Sequence, residues 1–141
     1  GGVKQRVVFE GCMFSRNSAA SGGGVAVEAG GRVLFDRCCW FNNTAINGGA
    51  LYIAGGHVQV LSSNIASNHA HRLGGGACVS KGRLSVTGSQ IRSNSAARYE
   101  GAVHVQDSRL ASVHFSDSML ENNTSPPHPL ITHQLDELAL R

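Results

Sequence analysis

Proline, charged residues and aromatic side chains are all scarce in this chain of 141 residues, which holds 3 Pro, 15% charged residues and 6% aromatic residues. So little proline excludes a collagen-like chain, and so little charge argues against a disordered one. Lys and Arg are scattered singly and the net charge is +3, so no basic run is present that would neutralise several phosphates. We therefore expect no nucleic-acid partner.

Long apolar segments are also missing. Runs such as Ala50–Ala54 fall far below the roughly 18 residues of a transmembrane helix, so we expect no membrane span. The cysteines Cys12, Cys38, Cys39 and Cys78 lack the paired short spacing of a zinc site and are too few for a dense disulfide framework. We expect neither a metal nor a cofactor.

The chain starts at Gly1 rather than Met. From this start we expect a processed protein, either exported or imported into an organelle, or a fragment of a longer one. The compartment itself is not specified by the sequence.

Repetition is what the sequence has in abundance. Residues 7–27 align without gaps onto residues 33–53, so that Phe9 falls on Phe35 and Cys12 on Cys38. Weaker copies follow, and five can be counted, each with an asparagine at the equivalent position: Asn17, Asn43, Asn68, Asn94 and Asn123. Apolar residues alternate within each copy, which is typical of short strands.

A repeat of this size cannot bury its own apolar face, so the copies are predicted to stack as the coils of a parallel solenoid. Equivalent positions then form three interior ladders: Val7, Val33, Val58, Leu84 and Val113; Phe9, Phe35, Val60, Val86 and Phe115; Phe14, Trp40, Ile65, Ile91 and Leu120. We predict an all-β fold, a short right-handed parallel β-helix of about five coils with three short strands per coil, over residues 1–125.

Two short motifs recur along the chain. FxxN occurs at Phe14–Asn17, and GGA[ILV] occurs at Gly48–Leu51. These repeats resemble those of right-handed parallel β-helix proteins of the pectin-lyase-like class, and in particular the FxxN and GGA[ILV] repeats of chlamydial polymorphic membrane proteins, which are surface autotransporters. The resemblance implies β-helix architecture and suggests an adhesin.

Two interpretations of the asparagine ladder are open, a binding stripe and a structural element. Asn tolerates left-handed backbone at tight bends and bonds neighbouring main chain, and stacked amides can bond one another. We therefore predict a structural ladder.

Cys12 and Cys38 occupy equivalent positions on adjacent coils, and serines follow at the same position in later coils. The expected separation of about 4.8 Å between their Cα atoms would permit a disulfide. Small buried thiols that serve as packing are the favoured interpretation.

Catalytic candidates are few. Glu10 and Asp36 stack on adjacent coils, and the resemblance implies that paired carboxylates could serve acid chemistry or calcium binding, but no further basic or acidic residue completes a polysaccharide site. His69 and His71 would share one face of a strand, without a visible third ligand for a metal. We expect no enzymatic activity.

Apolar residues at outward positions of the first two coils predict an interaction surface formed by Val8, Met13, Leu34, Phe41 and Tyr52. Residues 126–141 form a second segment, a Pro-rich break followed by a short helix. Its apolar residues Ile131, Leu135 and Leu138 follow helical spacing. We predict that this helix caps the last coil or docks into a partner.

The function expected from these features is that of a non-catalytic β-solenoid scaffold or accessory subunit, which binds protein partners in a larger assembly. One alternative is a fragment of a surface adhesin or carbohydrate-binding passenger. The other is a degenerate polysaccharide lyase or hydrolase.

Overall fold

The structure, a computed structural model, describes residues 6–28 and 30–126. Within them lie 16 strands: β1 (Val7–Glu10), β2 (Met13–Ser15), β3 (Ser18–Ser21), β4 (Val25–Val27), β5 (Arg32–Asp36), β6 (Cys39–Phe41), β7 (Thr44–Asn47), β8 (Leu51–Leu61), β9 (Asn64–Ala66), β10 (His69–Leu73), β11 (Ala77–Thr87), β12 (Gln90–Arg92), β13 (Ser95–Ala96), β14 (Val103–Val105), β15 (Ala111–Ser116) and β16 (Met119–Glu121). The predicted C-terminal helix, with Ile131, Leu135 and Leu138, lies outside the described residues.

Every pair of strands is parallel, and the strands form three sheets. The first sheet has the order β1-β5-β8-β11-β14, with β4 paired to β8 and β15 paired to β11. The second sheet runs β16-β12-β9-β6-β2, and the third runs β13-β10-β7-β3. Four coils are complete and a fifth contributes two strands, against the five copies counted in the sequence.

Strands β8 and β11 are longer than predicted, at 11 residues each. Each runs from the end of one coil into the start of the next. The chain bends at Gly55 (φ 121°) and Gly82 (φ 96°), where the backbone has a conformation that only glycine adopts easily. Each coil was predicted to have three short strands. In the structure each complete coil contributes to all three sheets, but β8 and β11 continue without a break from one coil into the next. No helix long and apolar enough to cross a membrane is present in the described part of the chain.

The three predicted ladders have the predicted register and form the core, except that Val7, at the start of the first ladder, is 53% exposed. Val7 pairs with Val33, Phe9 with Phe35 and Phe14 with Trp40, and the later coils continue each column. The rings of Phe9 and Phe35 stack with centroids 5.2 Å apart, and those of Phe35 and Trp40 meet edge to face at 4.8 Å. Burying one such aromatic ring stabilises the fold by about 2–3 kcal/mol.

Each coil turns a corner just before its ladder asparagine. The residue with left-handed backbone is the one that precedes the asparagine: Arg16, Asn42, Ser67, Ser93 and Asn122, with φ from 56° to 58°. The expectation that the ladder asparagine itself takes this conformation is therefore wrong. The preceding residue makes the turn and is exposed, and the asparagine that follows is placed in the stack.

Candidate functional site

The asparagine ladder is a continuous chain of side-chain hydrogen bonds. Asn17 Nδ2 donates to Asn43 Oδ1 at 3.1 Å, and the same bond joins Asn43 to Asn68 at 2.9 Å. It continues from Asn68 to Asn94 at 2.9 Å and from Asn94 to Asn123 at 3.0 Å. The predicted ladder is confirmed.

Within the ladder, Asn68 shows how fully the amide groups are used. Its Nδ2 also donates to the Trp40 and Ala66 carbonyls, and its Oδ1 also accepts from the backbone N–H of Asn43. Asn43, Asn68 and Asn94 are at most 1% exposed. These groups are therefore occupied by the fold rather than offered to a ligand.

A second ladder runs through the positions of Cys12 and Cys38. All four cysteines are free thiols. Cys38 Sγ donates to the Phe9 carbonyl at 3.4 Å, and in the next coil Ser63 Oγ donates to the Leu61 carbonyl at 2.7 Å. Burial raises the pKa of the Cys38 thiol, so this position supplies a small neutral donor in each coil, which agrees with packing rather than a disulfide.

The predicted interaction surface is only partly assembled. Val8 pairs in register with Leu34 on the first sheet, and Met13 pairs with Cys39 on the second sheet, two columns from Phe41. Tyr52 lies elsewhere, on the segment of β8 that pairs with β4. Val8 and Met13 are 44% and 66% exposed, whereas Leu34, Phe41 and Tyr52 are half-buried.

Exposure of large apolar side chains is concentrated on coil 1. Val7, which is 53% exposed although it belongs to the interior column of Val58, joins the outward Val8 and Met13 there, and we call these three residues the coil-1 face. Val7 was predicted to lie in an interior ladder, and the exposure of Ile46, Leu110 and Met119 was not predicted. Among the described residues, β1, β2 and β3 pair with a strand on one side only.

The two carboxylates are placed as predicted. Glu10 and Asp36 lie in register, and Leu61 and Thr87 continue the column on later coils. Asp36 Oδ1 is 3.6 Å from Arg37 Nε, a surface ion pair. The column itself supplies no further acid or base.

The two predicted surface histidines also contact each other. The rings of His69 and His71 are 5.1 Å apart, and His69 Nδ1 lies 2.7 Å from Ser95 Oγ. Burial, and then the neighbouring His71, lower the pKa of His69. No group of three or more His, Cys, Asp or Glu side chains in the described ranges could hold a metal ion.

A polar cluster that was not predicted from the sequence lies on the fourth coil. Gly22, Gly48 and Gly74 have left-handed backbone at equivalent positions, and Glu100 takes their place with φ 38° while only 7% exposed. Its Oε2 lies 2.5 Å from His104 Nδ1. A glutamate in place of a repeated glycine was the available signal.

Cys78 completes this cluster. It pairs in register with His104 and is fully buried. Burial, and then the charge of Glu100, raise the pKa of Cys78 to about 12. Since the thiolate is the reactive form, this arrangement keeps the thiol inert, and the cluster resembles a catalytic triad in composition but not in electrostatics.

We expect Cys78 to resist alkylation in the folded protein. In variants that keep a single cysteine, iodoacetamide at about pH 8 should modify Cys78 at least tenfold more slowly than the half-buried Cys39. In urea both should react at similar rates. Labelling of native Cys78 as fast as Cys39 would contradict the buried neutral thiol.

A cleft that no sequence motif indicated opens on the first sheet. Its volume is about 530 Å³, and it is lined by Gly30, Gly31, Arg32, Gly55, Gly56, His57, Gly82, Arg83 and residues 108–112. Arg32, His57 and Arg83 are in register on β5, β8 and β11. These residues are 25 and 26 positions apart in the chain, so only the register brings them together.

A model for the family described as "Right handed beta helix region" matches residues 2–127. The match spans most of the chain, which therefore belongs to the right-handed β-helix family. Together with the parallel pairing of the coils, it confirms the predicted fold class. No curated protein and no solved structure matches the chain.

Proposed function

We propose that this protein is a non-catalytic β-solenoid scaffold or accessory subunit that binds a partner protein through the coil-1 face. The observation that carries the proposal is the exposure of Val7, Val8 and Met13. In the same column as Val7, Val58 and Leu84 are fully buried. Exposed apolar groups at a sheet edge favour association with further β-structure.

The type of partner follows from the backbone of coil 1. An outer strand with free N–H and C=O groups can accept another strand, and pairing of this kind supplies affinity through main-chain hydrogen bonds. The neighbouring apolar side chains would supply the buried area. A partner that presents a β-edge or a β-solenoid coil fits this surface.

A surface adhesin is the second candidate, supported by the similarity of the FxxN and GGA[ILV] repeats to those of chlamydial polymorphic membrane proteins. Residues of both motifs have structural roles in this fold, however. Phe14 packs in the core, Asn17 begins the amide ladder, and Gly48 has left-handed backbone with φ 69°. We therefore give the scaffold function precedence.

We expect Val8→Glu combined with Met13→Glu to release the protein from its native assembly, because two charges would be buried at the contact. The measurement is co-elution of tagged protein with its assembly on size exclusion. The matched control is Gln59→Glu, which places the same charge on coil 3 in the column of Val8. Release by the control, or retention of the double variant, would contradict the proposal.

A further inference from the structure

The cleft on the first sheet contains arginines whose positive charges are not paired with acidic side chains. Arg32 and Arg83 flank His57 on adjacent strands, so their Cα atoms are about 10 Å apart, or two strand spacings. None of the described residues that line the cleft is acidic. In the described part of the chain neither arginine makes an ion pair or a side-chain hydrogen bond.

Arg109, which also lines the cleft, differs in this respect. Its Nε and Nη2 donate to the Asp107 carboxylate at 3.2 and 3.1 Å, so its charge is already paired. These bonds lower the pKa of Asp107. The unpaired charge of the cleft therefore lies on Arg32 and Arg83, on either side of the imidazole.

The positive charges of both arginines act on the imidazole of His57. Its pKa is lowered first by burial and then by Arg83 and Arg32. The register places Arg32 and Arg83 on the strands at either side of His57. An anion placed over the ring would lie between the two arginines, and Gly31, Gly56 and Gly82 line the cleft beside it.

We propose that the cleft binds a phosphate or sulfate ester group, held between Arg32 and Arg83 over the imidazole of His57. A tetrahedral oxyanion has enough oxygens to accept hydrogen bonds from two guanidinium forks at once. The lining contains no aromatic residue, so it lacks the stacking surface that single-stranded nucleic acids use. The site is independent of the partner-protein contact proposed for the coil-1 face.

The first test is calorimetric titration of the whole protein with inorganic phosphate and inorganic sulfate at low ionic strength. Arg32→Gln and Arg83→Gln should each weaken binding at least about fivefold, and the double variant should abolish it. The matched control is Arg92→Gln, an exposed arginine on the second sheet. Glucose 6-phosphate and glucosamine 6-sulfate then distinguish the two ester sources.

The second test uses the histidine. An anion favours the imidazolium, so the affinity for sulfate should rise as the pH falls from about 8 to 5.5, while sulfate itself stays fully ionised. His57→Gln should remove this dependence. Absence of binding to the wild-type protein, equal loss in Arg92→Gln, or tighter binding of a single-stranded oligonucleotide than of either ester would overturn the proposal.

Discussion

Replacing Asn68 by alanine should lower the free energy of unfolding by about 3 kcal/mol or more, because each buried polar group left without a partner costs about 1–3 kcal/mol. The backbone N–H of Asn43 would lose its acceptor, Nδ2 of Asn43 would keep only the Phe14 carbonyl, and the carbonyl of Trp40 would lose the Asn68 donor. Asn68 is 1% exposed, so water cannot readily replace these bonds. Urea unfolding followed by far-UV circular dichroism measures the change.

The matched control is Gln90→Ala, which removes an amide from an exposed position of β12. It should change stability by less than about 0.5 kcal/mol. If Asn68→Ala unfolds at the urea concentration of the wild type, the ladder is not a structural element, and its interpretation as a binding stripe returns.

Gly49→Ala should cost about 3 kcal/mol, because the added methyl group would press adjacent coils apart. A Cβ at Gly49 would lie 2.4 Å from the Gly75 carbonyl oxygen and 2.7 Å from that of His69. Both contacts are with backbone, which can move only if the strand pairing is disturbed. Thermal unfolding monitored by circular dichroism reports the loss.

The substitution Gly11→Ala is the control that distinguishes the cost of a steric clash from the cost of a left-handed backbone conformation. Gly11 has φ 61°, yet a Cβ there would meet no atom within 4 Å. Its substitution should cost only the left-handed backbone penalty of about 1–2 kcal/mol. A Gly49→Ala cost no larger than that of Gly11→Ala would show that the coils are not held as closely as described.

The core could be predicted from the sequence because the spacing of the repeats sets the register. Once Phe9 is aligned with Phe35, every neighbour in the column follows, and so do the hydrogen bonds of the asparagine ladder. The left-handed backbone was predicted at the ladder asparagine, and it lies at the residue before it. Turn propensity identifies residues that tolerate the bend but does not say which of two neighbours makes it.

Features that depend on a single residue or on exposure were not predictable in the same way. Glu100 departs from a glycine pattern, and its burial beside His104 and Cys78 emerges only from the packing. Arg32 and His57 look isolated in the chain and become neighbours through the register. Leu34 was predicted to belong to an outward apolar surface, and it is half-buried in the structure.

Partner binding through the coil-1 face is tested most directly by site-specific photo-crosslinking in the native cell. A benzophenone amino acid is placed at Val8 or Met13, and at Gln59 or Gln90 in the same columns of later coils. We predict one protein adduct of the same mass from positions 8 and 13 and none from positions 59 and 90. Equal adducts from all four positions, or adducts only from the later coils, would contradict the account.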